Sequence, residues 1–227
     1  VCNGSKPTIH YCDVLGNTSS GVKVWGGGEP AVSRCEILAN RIGVEMWADV
    51  SGRRIQRNYG TLTNCVIAGN RAGGVYSGYP VIENCTIADN LGHGVSCVAP
   101  VLVNSIVYFN DAANLDVRQE ETVTYCNIQG GWPGEGNIDA DPAFVRPGQW
   151  DGGVWLAGDY HLQSQGWRWD SGAGAWASDL VTSPCIDAGD PASPLRDEPV
   201  ELPEGAVVNE RIDMGMYGGT AEASVAP

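Results

Sequence analysis

Apolar and polar positions recur along the first half of the chain with a period near twenty residues. Five segments align without gaps inside them: PTIHYCDVLGN from Pro7, PAVSRCEILAN from Pro30, TLTNCVIAGN from Thr61, PVIENCTIADN from Pro80 and PVLVNSIVYFN from Pro100. A weaker sixth copy, VTYCNIQG, starts at Val123. Cys falls at Cys12, Cys35, Cys65 and Cys85, and Ser105 takes the fifth place. Asn follows five residues later each time, at Asn17, Asn40, Asn70, Asn90 and Asn110. A Gly-Val step comes next, at Gly21, Gly43, Gly74 and Gly94, with Asn114-Leu115 in its place in the fifth unit. Within a unit the apolar residues alternate, as in Val81-Ile82, Cys85, Ile87, then Val95 and Cys97. Period two predicts short strands, and the Gly, Asn and Pro between them predict turns. A unit of about twenty residues cannot bury an apolar face by itself; stacking like residues over like, about 4.8 Å apart, removes the difficulty. The prediction is a parallel β-solenoid. A leucine-rich repeat has a similar period but needs Leu at fixed places, and Leu is sparse here.

A coil of this length, with Asn beside a turn and Cys and Ile stacked inside, resembles the right-handed parallel β-helix of the pectin-lyase type. The resemblance spans about residues 7–130. It implies an all-β fold, a right-handed parallel β-helix (β-solenoid) of about six coils with a C-terminal cap. On this reading residues 1–130 form the coils, and residues 131–227 form a capping segment packed on the solenoid. The repeat speaks to architecture more than to activity, because one fold hosts many chemistries.

The ladders have structural readings first. Cys behaves as a small apolar filler, so Cys12, Cys35, Cys65 and Cys85 are expected as stacked, buried thiols; a disulfide between adjacent coils and a functional thiol are the alternatives. Cys97 reads as core, whereas Cys2 and Cys185 lie outside the ladder. The Asn column is expected to tolerate left-handed backbone, satisfy turn N–H groups and bond along the axis. Two N-glycosylation sequons, at Asn17 and Asn84, fall on repeat positions and need no glycan to explain them. Gly92-His93-Gly94 is similar to a tripeptide of polygalacturonase-type hydrolases, but the paired Asp residues and the Arg-Ile-Lys of that family have no counterpart here, and glycoside hydrolysis wants two carboxylates about the sugar.

Candidate chemistry lies on the outward rows. After each Gly-Val step one row reads Lys23, Glu45, Tyr76, Ser96, Asp116, and the next Trp25, Trp47, Gly78, Val98, Arg118. Aromatic faces suit sugar rings and charges suit sugar carboxylates, although a solvated face with scattered aromatics explains the same residues. The one insertion, residues 48–58, carries Arg53, Arg54 and Arg57, with Arg41 and Arg71 on neighbouring units, so five of the thirteen basic residues fall in a 31-residue window. Arg pairs bidentately with carboxylate. By analogy with polysaccharide lyases of this fold, Arg53, Arg54 or Arg57 would act as base on a uronate, with Asp49 nearby. Lys23, Trp25, Glu45, Trp47, Tyr76 and Arg71 would line the groove.

Composition narrows the partners. The net charge of −14 is uneven: residues 1–130 hold nine Lys and Arg against eleven Asp and Glu, and residues 131–227 hold four against sixteen. Nucleic acid is an unsuitable partner for such a chain, and no apolar run reaches the length of a membrane helix. A polysaccharide or cell-surface glycan is the expected partner. Catalysis is left open, because no complete catalytic set can be assembled, and a purely structural or adhesin stalk is the third reading.

After residue 130 the repeat is lost and six of the eight Trp appear. NIDADPAFV from Asn137, GDYHLQ from Gly158, SPCIDAGDP from Ser183 and RIDMGMYGG from Arg211 resemble the C-terminal end of secreted bacterial β-helix repeat proteins. The resemblance implies a secreted or cell-surface protein, usually without assigned activity. Phe144, Tyr160, Leu162, Ile186 and Tyr217 are expected to plug the open end of the solenoid. Asp139, Asp141, Asp187, Asp190 and Asp213 could cap turns or hold Ca²⁺ through oxygen ligands, with Asp187, Asp190 and Asp213 the best metal candidates. Val1 leads almost directly into a coil, and this predicts either upstream coils in a longer chain or self-association.

Overall fold

The structure, a computed structural model, describes residues 1–47, 57–118, 121–199 and 208–227. Its described residues hold strands, turns and bends and no helix. Three parallel six-stranded sheets wrap one core. Sheet A stacks Cys2–Asn3, Ser20–Trp25, Ile42–Met46, Gly73–Tyr76, His93–Cys97 and Leu115–Val117. Sheet B stacks Thr8–His10, Ala31–Ser33, Tyr59–Thr63, Tyr79–Glu83, Val101–Val103 and Thr122–Thr124. Sheet C stacks Asp13–Leu15, Glu36–Leu38, Val66–Ala68, Thr86–Ala88, Ile106–Tyr108 and Asn127–Ile128. The chain visits A, B and C in turn, once per coil, for six coils. Each coil therefore matches one sequence unit.

Register follows the repeat. Val32, Leu62, Ile82, Leu102 and Val123 form one inward column of sheet B. Ile37, Ile67, Ile87, Val107 and Ile128 form the column of sheet C. The Cys column stands at the corner between them, extended by Ser105 and Cys126. Cys85 donates its N–H to Ser105 Oγ at 3.1 Å, and Ser105 donates its own to Cys126 Sγ at 3.4 Å. All eight cysteines are free thiols. The Cys35 thiol is pushed far above the ordinary range by its contact with Cys65 and by burial, and Cys35, Cys65 and Cys85 pack in the core cluster. Cys2, outside the ladder in sequence, pairs with Val24 and joins the same core.

Two corners turn on left-handed residues. Between B and C these are Tyr11, Arg34, Asn64, Asn84, Asn104 and Tyr125, with φ of 48 to 51°. Between C and A they are Gly16, Ala39, Gly69, Asp89 and Phe109, with φ of 55 to 65°. The expectation that Asn17, Asn40, Asn70, Asn90 and Asn110 adopt this conformation is corrected here: the residue before each does so. The Asn then turns its side chain inward. The Oδ1 atoms of Asn40, Asn70, Asn90 and Asn110 each accept the backbone N–H and the side-chain amide of the Asn one coil earlier, at 2.8 to 3.2 Å. The Gly of the Gly-Val step lies beside this column. A Cβ on Gly74 would sit 2.5 Å from the Gly94 carbonyl and 2.8 Å from Ile87.

The C-terminal segment departs from the expected end plug. Its first part sits on the last coil: Trp132 packs against the core, Asn137 Oδ1 accepts the Cys126 N–H at 2.9 Å, and Ile138 bridges Asn127. Phe144, Tyr160, Leu162, Ile186 and Met214 instead cover the outer face of sheet C, on Leu38, Val66, Ala68, Ala88, Ile106 and Tyr108, with Tyr217 at the border. The reason is in the strands: VIA and IVY are apolar on both faces, as strands covered on both sides tend to be, and in TIA the one polar outward residue, Thr86, is satisfied by accepting the Met216 N–H at 3.1 Å. A second Asn column grips this segment at the B–C corner. Asn64 donates to the Met216 and Gly218 carbonyls at 2.7 and 2.8 Å, Asn84 to the Asp213 carbonyl at 3.0 Å, and Asn104 to Ser193 Oγ at 3.0 Å. The Asn84 sequon is thus buried inside the interface.

Candidate functional site

Sheet A ends, on its B side, in two exposed indoles. Val24 and Met46 point inward and pair across the rung, so Trp25 and Trp47 point outward on neighbouring rungs, 45% and 55% exposed. The Arg-bearing insertion leaves the coil at Trp47 and returns at Asn58. The buried Asn58 ties that return in place: Oδ1 accepts the N–H groups of Gly27 and Gly28 at 2.9 and 3.0 Å, and Nδ2 donates to the Trp47 carbonyl. Sheet B begins directly afterwards with Tyr59, which pairs in register with Tyr79; the rings are 5.4 Å apart. The Arg57 guanidinium lies 5.0 Å from the Tyr79 ring centre. The A–B corner therefore carries Trp25, Trp47, Tyr59 and Tyr79, with Arg57 at the root of the insertion.

Glu45 is not free for chemistry. It is buried, and its carboxylate accepts from Ser20 Oγ and faces Lys23 Nζ at 3.4 Å. Burial pushes its pKa up, but the bonds from Ser20, Trp47 and Lys23 outweigh that and hold it below the usual range. It stays ionised and holds Trp47 and Lys23 in place. Further along the same row, Ser96 Oγ donates to Asp116 at 2.8 Å. Tyr76 lies in register with Glu45, but its hydroxyl turns back to the Ala72 carbonyl at 3.0 Å and its ring covers Gly73. Arg71 lies at the opposite, C–A edge of the sheet, 4.4 Å from the centre of Trp150. The sequence candidates thus divide. Lys23, Trp25, Glu45, Trp47 and Arg57 gather at or beside the A–B corner, and Tyr76 and Arg71 do not. Arg53, Arg54 and Asp49 lie outside the described residues. Tyr59 and Tyr79 were missed, although their place at the start of aligned sheet B strands was a usable signal.

The acidic candidates of the C-terminal segment receive backbone amides. Asp187 Oδ1 accepts from Arg211 N at 2.7 Å, Asp190 Oδ1 from Ala192 N at 2.8 Å, and Asp213 Oδ1 from Asp187 N at 2.9 Å. Glu198, which sequence reasoning passed over, accepts the N–H groups of Asp213 and Gly219 at 3.0 and 2.8 Å. Burial and the neighbouring Glu198 push Asp213 well above the carboxylate range. Among the described residues no group of three or more His, Cys, Asp or Glu is placed to hold a metal ion.

The family model for the right handed beta helix region matches residues 1–161. The chain belongs to this family. The matched span covers every coil of the β-helix and runs on to the Phe144–Arg146 and Asp159–Leu162 strand pair of its cap. No curated protein and no solved structure matches the chain. Family membership agrees with the coil-by-coil register and carries no activity with it.

Proposed function

We propose that this β-helix is a secreted or cell-surface module that binds an acidic polysaccharide at the A–B corner without cleaving it. The observation that carries the reading is that Trp25 and Trp47 at the end of sheet A and Tyr59 and Tyr79 at the start of sheet B flank one corner of the coil stack, with Arg57 against Tyr79. Exposed aromatic faces receive the apolar faces of sugar rings, and a guanidinium with no carboxylate partner among the described residues receives a sugar carboxylate. The rigid coils keep the ordering cost of binding low. Glu45, the one carboxylate of this face near the insertion in sequence among the described residues, is engaged as a support, which favours binding over acid–base work. The lyase reading, with an Arg of the insertion as base, is the second candidate.

Affinity electrophoresis through alginate, polygalacturonate and chondroitin sulfate, with a neutral glucan as control, separates these readings. Retardation by an acidic polymer is expected, and Trp47→Ala should weaken it about tenfold or more, the usual cost of an aromatic anchor. Unchanged migration in every acidic polymer would overturn the proposal in favour of a structural stalk. A rise in ultraviolet absorbance from unsaturated uronates, lost in Arg57→Ala, would move the reading to a lyase.

A further inference from the structure

We propose a second acidic-sugar site at the C–A corner, formed by Arg41 and Arg71 under the Trp150–Trp155 hairpin, for a single uronate unit. It shares no residue with the A–B corner and does not depend on that reading.

Arg41 and Arg71 follow the Asn column on successive rungs, their N–H groups bound to the carbonyls of Asn17 and Asn40 at 2.9 and 2.8 Å. Rungs are about 4.8 Å apart, so two guanidinia start side by side, an arrangement that like charges disfavour. Neither has a carboxylate partner among the described residues, and they are the two that stand on adjacent rungs. In a chain with twenty-seven acidic residues, two adjacent guanidinia without such a partner are a site prepared for an anion.

The hairpin supplies the rest. Gln149–Asp151 pairs with Val154–Leu156 through Gly152 and Gly153, both at positive φ, the backbone a tight hairpin turn requires. Trp150 and Trp155 stand opposite each other, with ring centres 5.5 Å apart. Trp155 lies flat on Gly69, where a Cβ would come within 2.5 Å of the ring. Trp150 covers Arg71, and Arg71 Nη2 donates to the Gly153 carbonyl at 3.3 Å. Arg41, Arg71, Trp150 and Trp155, with Asn17 and Thr18, line an open cleft of about 470 Å³ that no Asp or Glu lines. That size is within the range of small-molecule sites. Two forks of N–H donors suit a carboxylate, and the partly exposed indoles of Trp150 and Trp155 beside them suit the ring that carries it. A bare anion would use the forks and leave the indoles idle.

Titration with a galacturonate oligomer, followed by calorimetry and by indole fluorescence, tests this. Wild type should bind. Arg41→Gln and Arg71→Gln should each weaken binding about tenfold or more, the scale of one lost charge-assisted pair. In a Trp47→Ala background, which removes the proposed A–B anchor, Arg41→Gln and Arg71→Gln should still each weaken the binding that remains. Without ligand, Arg41→Gln should melt no lower than wild type, since it removes a repulsion; a purely structural pair would lose stability instead. The methyl-esterified oligomer should not bind. Absence of binding by wild type, unchanged affinity in both Gln variants, or equal competition by inorganic phosphate would each overturn the proposal.

Discussion

The side-chain oxygen of Asn70 accepts two hydrogen bonds from Asn40 on the preceding rung, from the backbone N–H at 3.0 Å and from the side-chain amide at 3.2 Å. Its own amide donates to the Ile37 carbonyl at 3.1 Å and to Asn90 Oδ1 at 2.9 Å. Asn70 is fully buried, so no water can replace a lost partner. Asn70→Ala should cost about 3 kcal/mol or more, since each buried group left unpaired costs about 1–3 kcal/mol. Asn17→Ala, at the exposed end of the column, should cost less than about 1 kcal/mol, because water takes over. Urea unfolding of the two variants checks this; equal losses would mean that the column carries no buried bonding.

Gly74→Ala should destabilise by about 1–3 kcal/mol, the range for overpacking a filled core. Its Cβ would meet the Gly94 carbonyl and Ile87 on the next rung. In the fifth unit Asn114 stands in the Gly place, where sheet A has no further rung. A thermal melt of Gly74→Ala indistinguishable from wild type would contradict the packing at this corner.

Native thiol labelling should find one reactive cysteine among eight. Cys12, in the first coil, is only half-buried, and the other seven are buried. Burial pushes the Cys126 and Cys185 thiols up to about 12, so almost no thiolate forms at neutral pH. Mass spectrometry after maleimide treatment should show one adduct on folded protein and eight after denaturation. Three or more native adducts would place thiols outside the core.

Stability should rise as the pH is lowered from about 8 to about 5. His161 Nδ1 lies 2.7 Å from Asp159, and Nε2 lies 3.1 Å from Glu222. Burial works against its charge, but the two carboxylates outweigh burial and raise its pKa. A raised folded value makes its contribution complete below about 6.5 and lost as the pH climbs through that folded value. Asp89 is pushed by burial from 3.8 to about 6, against the hydrogen bonds of Tyr160 and Gly148. Its folded form also binds the extra proton, so this contribution is complete below about 4 and lost through about 6. Asp159 and Glu45, held below the ordinary range, act in the opposite sense only in stronger acid. Scanning calorimetry across this range should show the trend, flattened near neutrality in His161→Gln and near pH 5 in Asp89→Asn. A melting temperature that increases with pH would refute it.

The coils were legible because stacking makes register a matter of counting. Once Cys35, Cys65 and Cys85 are aligned, Val44 must lie over Val75, and Lys23, Glu45 and Tyr76 must share a row, as they do. The direction of a side chain within its row was not legible. Tyr76 turns to Ala72 and Glu45 folds under Lys23, because each finds a hydrogen-bond partner that period two does not encode. Two signals were present but unused. The Asn before the Cys, at Asn64, Asn84 and Asn104, marks the second column. The uninterrupted apolar strands VIA and IVY mark sheet C as covered on both faces.

What the sequence by itself determined is the solenoid: the number of coils, the inward columns, the Asn ladder and the corner where the insertion leaves. Neighbouring rungs repeat the same residues, so local arithmetic suffices. Only the tertiary structure decided where residues 139–199 and 208–226 lie, and with them the C–A cleft. Asn64 holds Met216 across 152 positions, and Arg71 meets Gly153 across 82. No period links such partners; shape, burial and unmet hydrogen bonds on the outside of sheet C select them.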